Sequence, residues 1–315
     1  MIIYVFFSIV SVTWASQLSK KWESWWHYKL KEVGGPEHWG QSTSMPEYWK
    51  HWAWCSLGRM QSPVSIATDQ LIYDKQLTPL EIFEDSNENL ELQALNTGKD
   101  IQFNVEKGSV TIKGGPLSYE YEVYRILLKF GKKSSRGSDH MINNFTYPGE
   151  IQIYGYNRVL YSNYSEAISK TYGIASLVCF FKIDTKSNTD FAALIAASEN
   201  VIYKDNIDTV KGIKIDMLLP STKEFITYEG SIPHPPCYES VLWIILNEPI
   251  SVTETQMKTL RKLRASKNDW SGIIADNFRP PQNLNRRALR TNIQLTLTER
   301  VCRIERDFFY SVNDP

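Results

Sequence analysis

The 315-residue chain has no surplus of either charge, with 35 Lys and Arg against 35 Asp and Glu. No bulk field therefore draws it to nucleic acid or to an anionic membrane surface. Histidine is scarce: His27, His38, His51, His140 and His234 are the whole set. No two of them stand two or four positions apart, so a local histidine pair of the kind that holds a metal is missing. The chain has no Gly-x-Ser-x-Gly elbow, phosphate loop or dinucleotide fingerprint. It has no internal repeat or low-complexity tract. No apolar run is long enough to cross a bilayer core of about 30 Å, so membrane insertion is not expected.

What is present is a large core. Hydrophobic residues make up 42% of the chain and aromatics 13%, ample for one β-rich domain. Residues 1–15 carry the apolar run Ile2 to Val10, then small residues at Thr13 and Ala15, and read as a secretory signal peptide. Two sequons, at Asn144 and Asn163, lie in turn-like stretches and become glycosylation sites if the chain is secreted. Residues 16–38 are rich in tryptophan and tyrosine. Large rings there suit an irregular segment anchored over a sheet, and a ligand-binding aromatic patch is the lesser reading. The main domain is expected over 39–298 and a charged tail over 299–315.

The middle of the chain is β. Glu150 to Val159 alternates apolar and polar residues, Val241 to Leu246 is continuously apolar, and Thr291 to Thr298 alternates again. Ile174 to Phe181 is an apolar run that makes Cys179 a core residue. Helices are few, expected over Thr189 to Val201 and Thr253 to Leu263.

Several stretches together resemble the α-carbonic anhydrases: Gln61 to Ile66, Gly137 to His140, Tyr228 to Ile232, Pro235-Pro236, Trp243 and Asp276 to Pro280. The resemblance runs from about Trp39 to Leu297. It implies a mainly β fold, α+β in class, with a large twisted mixed central sheet and small peripheral helices. In the active family two metal histidines alternate on one strand and a third lies on the next. Here those three positions read Leu127, Lys129 and Gln152.

Zinc hydration chemistry needs three neutral imidazoles and one open coordination position. Leucine has no lone pair, a protonated lysine repels the ion, and glutamine is a poor ligand for it. No zinc is expected. Asp139 and His140 match the family's Glu-His pair, and Glu150 matches the acidic residue that orients a zinc histidine. Pro233 stands where a threonine hydroxyl orients bound hydroxide, and Lys99 where a histidine shuttles protons. At an ordinary pKa of about 10.4 a lysine is a poor shuttle. A Glu150–Lys129 ion pair is the expected filling of the vacated centre.

Secreted relatives bridge the positions of Cys55 and Cys237, so the resemblance implies that disulfide. Cys302 is then left over, either an intermolecular or reactive thiol or an inert, partly buried one. Within the family, Trp22 to Lys29, Pro235 to Glu239, Arg290 to Ile293 and Cys302 resemble the secreted carbonic anhydrase-related proteins numbered ten and eleven. That branch implies a non-catalytic binding protein of the nervous system with a neurexin-type receptor as partner. The competing expectation is a residual carbonate dehydratase or esterase working in the old cleft.

Overall fold

The computed structural model describes residues 25–41, 49–85, 89–268, 272–298 and 301–304. Residues 1–15, expected to be a signal peptide, and most of the expected C-terminal tail lie outside them. The described strands are β1 (Ser65–Ile66), β2 (Leu71–Tyr73), β3 (Leu80–Glu84), β4 (Glu91–Asn96), β5 (Ile101–Lys107), β6 (Val110–Gly114), β7 (Tyr121–Phe130), β8 (Met141–Ile142) and β9 (Gly149–Asn157). They continue as β10 (Ile174–Ile183), β11 (Ile207–Lys211), β12 (Phe225–Gly230), β13 (Val241–Leu246), β14 (Ile250–Val252), β15 (Leu289–Thr291), β16 (Leu295–Thr298) and β17 (Val301–Ile304).

Thirteen of these form one sheet in the order β11-β4-β5-β7-β9-β10-β13-β12-β15-β2, with β14 beside β10 and the β3–β6 ribbon joined to β7 through β6. The sheet is mixed. The β10–β13, β10–β14 and β15–β2 pairs are parallel, whereas β7–β9, β9–β10 and β12–β13 are antiparallel. The expected large mixed sheet with small helices is the fold found.

Its centre is covered on both faces, which is why β10 and β13 read as unbroken apolar runs rather than alternations. Strand alternation divides their side chains between two layers. Ile126, Leu128, Phe130, Ile151, Ile153, Leu177 and Cys179 enter one hydrophobic cluster. Leu127, Tyr154, Val178, Phe180, Tyr228 and Trp243 enter the other.

Two helices close the first layer. Thr189–Ser198 starts where the Asn188 side chain accepts a hydrogen bond from the Phe191 amide, and it buries Phe191, Leu194 and Ile195. Glu254–Leu260 starts at a capping box of Thr253 and Gln256 and buries Met257 and Leu260. Each lies within a few residues of its expected position.

The expected strand over Thr291 to Thr298 is broken. Asn292 takes the Phe225 amide on its side-chain oxygen and donates to the Lys223 carbonyl, and the Ile293 amide turns back to the Thr291 hydroxyl. Side-chain partners thus replace the ladder, and β16 pairs with β17 instead.

Candidate functional site

Register brings the implied metal positions together. On the β7–β9 pair Leu127 lies opposite Gln152 and Lys129 opposite Glu150. Residues two apart on a strand face the same way, so all four share one face. The side chains of Lys129, Glu150 and Gln152 are completely buried, and Leu127 is packed into the second cluster.

Lys129 does not pair with Glu150. Its ammonium donates to the Tyr28 hydroxyl at 2.7 Å, the Asn277 carbonyl at 3.1 Å and Asp100 Oδ1 at 3.2 Å, and Asp139 Oδ2 is 3.7 Å away. These three acceptors use all three N–H donors of the ammonium. The expected partner is engaged elsewhere: Glu150 accepts from the His140 amide at 2.9 Å and from the Gln152 amide at 2.6 Å, and His140 Nδ1 lies 3.0 Å from Glu150 Oε1. The long lysine stem carries its charge past the opposing carboxylate to Asp100, which the turn after β4 presents. Gly98, at φ +82°, and the Thr97 hydroxyl, which takes the Asp100 amide at 3.0 Å, shape that turn.

Gln152 is equally committed. Its amide nitrogen donates to Glu150 and, at 2.9 Å, to Asp139 Oδ2, and its oxygen accepts from the Tyr154 hydroxyl at 2.7 Å. The one Gln152 atom able to face a metal is therefore occupied by a proton donor. With an apolar side chain at 127 and a saturated ammonium at 129, this donor set does not fit a zinc ion.

Electrostatics keep Lys129 charged. Burial alone lowers its pKa, but the carboxylates of Asp100, Asp139 and Glu150 outweigh burial and hold it above the ordinary lysine value. A permanently protonated amine is neither a base nor an imine-forming nucleophile. Burial, and after it the charges of Asp100 and Asp139, raises the Tyr28 phenol well above its usual range, so it stays a neutral hydroxyl. Asp139 is pushed up to about 6, chiefly by burial and against the pull of Lys129.

The remaining positions fall around this centre. His140 Nε2 lies 2.8 Å from the Tyr228 hydroxyl, so the imidazole ties β12 to the Glu150 strand. Pro233 is buried and offers no hydroxyl. Its neighbour His234 stacks on Trp26 at 5.2 Å and 3°, and burial, then Lys129, lowers its pKa to about 4. Lys99 holds its ammonium 4.1 Å over the same Trp26 ring. The aromatic segment thus reaches into the centre, with Trp26, Tyr28, Trp39 and Trp52 clustered around Cys55 and Cys237. Those two cysteines are joined, as the resemblance implies, and Cys179 is a buried free thiol. Cys302 lies on β17, and its side chain is outside the described structure. Asn144 is exposed in a left-handed turn at φ +65°, and Asn163 is exposed and caps the helix Tyr164–Ala167.

Sequence reasoning missed Tyr28, Asp100 and Asn277 as partners of Lys129. It also missed Arg279, whose guanidinium donates to Gln61 Oε1 and the Ser62 carbonyl at 2.9 Å and to the Cys55 carbonyl at 3.1 Å. Tyr28 carried a signal as the one phenol in the Trp-Trp-x-Tyr run, and Asn277 and Arg279 lay within the Asp276 to Pro280 stretch, which did not show what they would bond. Asp100 carried none.

The eukaryotic-type carbonic anhydrase family profile matches residues 36–293. The chain is 32% identical over 272 residues to carbonic anhydrase-like protein 2 of Caenorhabditis elegans, covering 84% of this chain and 78% of that one. The sheet, the shared-face geometry around Lys129 and these likenesses agree, and the chain belongs to the eukaryotic-type carbonic anhydrase family.

Proposed function

We propose that the chain is a secreted, non-catalytic carbonic anhydrase-related protein of the ten/eleven branch that works as an extracellular protein-binding module. One observation carries the reading: the Lys129 ammonium, saturated by Tyr28, Asn277 and Asp100, occupies the face from which the family's histidines hold zinc. Hydration of carbon dioxide needs a metal-bound water that ionises near neutral pH, and this centre supplies a fixed cation in its place. Pro233 and Lys99 remove hydroxide orientation and proton exit together.

The apolar run at residues 1–15, the Cys55–Cys237 disulfide and the exposed sequon asparagines support an extracellular setting. The Trp22 to Lys29 motif supports the branch, and through it a neurexin-type receptor as partner. No described helix is long and apolar enough to cross a membrane.

The test is carbon dioxide hydration by the purified protein, with and without added zinc. The proposal expects the rate of buffer alone in both. A zinc-dependent rate above that background rejects it in favour of a residual enzyme.

A further inference from the structure

We infer that the cavity beside the Tyr28 segment docks an acidic peptide that carries an apolar side chain. This rests on the reading of the chain as a binding module and assigns that module a face and a partner chemistry. The cavity, about 450 Å³, lies between the segment from His27 to Glu32, the turn at Gly98 and Lys99, the turn from Lys132 to Arg136, and the stretch from Ile273 to Pro280. It is separate from the Leu127, Lys129 and Gln152 face, and Tyr28 forms the wall between them.

Charge and shape point to the ligand. Lys29, Lys99, Lys132 and Arg136 line the cavity against two carboxylates, Glu32 and Asp276. That leaves a surplus of two positive charges in a chain whose totals cancel. Asp276 shapes the rim, accepting the Lys132 amide at 2.9 Å and holding Arg136 Nη2 at 3.2 Å. A guanidinium has five N–H donors, so one carboxylate contact leaves the Arg136 fork competent for a second. The fork also lies 5.5 Å from the Phe278 ring, which keeps it beside the cavity floor. That floor is apolar, built from Ile274, Ala275, Phe278 and Pro280, and the exposed Leu30 also lines the cavity.

Cations around a concave apolar floor suit carboxylates flanking a buried side chain. A sulfated polysaccharide presents charge along a strip and has no apolar group for the floor.

The probe is a fluorescein-labelled heptapeptide of Asp and Glu with one central Phe, titrated into the full-length protein and followed by anisotropy. Lys132 and Arg136 side chains are 59% and 56% exposed, so Lys132→Glu with Arg136→Glu reverses charge without opening the core. We expect saturable binding that weakens with salt, by about tenfold or more in the double variant and again when the peptide Phe becomes Ala. If the double variant melts below wild type, Lys29→Glu replaces it and the same loss is expected. No peptide binding, binding indifferent to charge reversal, or binding of a heparin octasaccharide alone overturns the inference. A zinc-free, inactive protein that ignores the peptide refutes only this docking site, whereas a zinc-loaded, active one refutes the module reading beneath it.

Discussion

Lys129 and Tyr28 lie 101 positions apart in the chain, yet the lysine ammonium donates to the tyrosine hydroxyl at 2.7 Å in a fully buried contact. The contact joins the aromatic N-terminal segment to the central strand β7. Trp26 and Tyr28 are buried anchors of a segment whose Trp25, Leu30 and Val33 stay exposed.

Removing the ammonium leaves Asp100 and the Tyr28 hydroxyl buried without it. Lys129→Met is expected to cost about 3–5 kcal/mol, the usual effect of breaking a buried pair from one side. Tyr28→Phe is expected to cost about 1–3 kcal/mol, because one N–H of the buried charge loses its acceptor. Lys129→Met combined with Asp100→Asn should cost less than the two single changes added together. Urea unfolding of the wild type, the three single variants and the double variant measures this. Unchanged or greater stability in Lys129→Met would sink the structural role of the ammonium.

The pairing also shows how far the sequence could be read. The apolar runs that became β10 and β13 identified the buried sheet because burial on both faces leaves a pattern in the residues themselves. The three altered metal positions were visible through the family motif, and so was the disulfide partner of Cys55. The partners of Lys129 were not. Asp100 and Asn277 come from turns 29 and 148 positions away, and only folding brings their oxygens to the amine. Glu150 looked like the partner because strand register does place it opposite, but its oxygens are taken by His140 and Gln152. The break after Thr291 was hidden for a related reason: Asn292 fits an alternating pattern until its side chain finds Phe225.

Stability should carry a histidine signature in mild acid. His234, half-buried and stacked on Trp26, has a folded pKa of about 4, below the ordinary value of about 6.5. The unfolded chain then binds the extra proton, so this stabilisation is complete above pH 6.5 and is lost as pH falls towards 4. Asp139, pushed up to about 6, acts in the opposite sense and favours the folded state as pH falls from about 6 to 4. His234→Phe keeps a ring for Trp26 and removes the titration. The stability of wild type minus variant should rise from pH 4 to 6.5 and then level off, measured by unfolding at each pH. A difference independent of pH would contradict a neutral imidazole in the folded state.

The Cys55–Cys237 bridge closes a loop of 182 residues. In the chain-entropy account such a loop adds about 5 kcal/mol, with measured values often smaller. Paired serine substitution should lower the melting temperature and make it insensitive to reducing agent, whereas the native chain should lose stability on reduction.

The two roles of Asn163 can be separated. Its side-chain oxygen accepts the Glu166 amide at 3.0 Å as a helix cap, while a glycan would be attached through its nitrogen. In protein secreted from eukaryotic cells, Ser165→Ala should remove one glycan by mass and leave the melting temperature unchanged. Asn163→Ala should remove the same glycan and also cost about 1 kcal/mol. Equal stability of the two variants would contradict the cap.

The most direct measurement is the zinc content of the folded, disulfide-bonded protein, purified from culture medium without added metal. With Leu127, Lys129 and Gln152 at the family's metal positions, the account predicts close to no zinc per chain. One tightly held zinc per chain would contradict it.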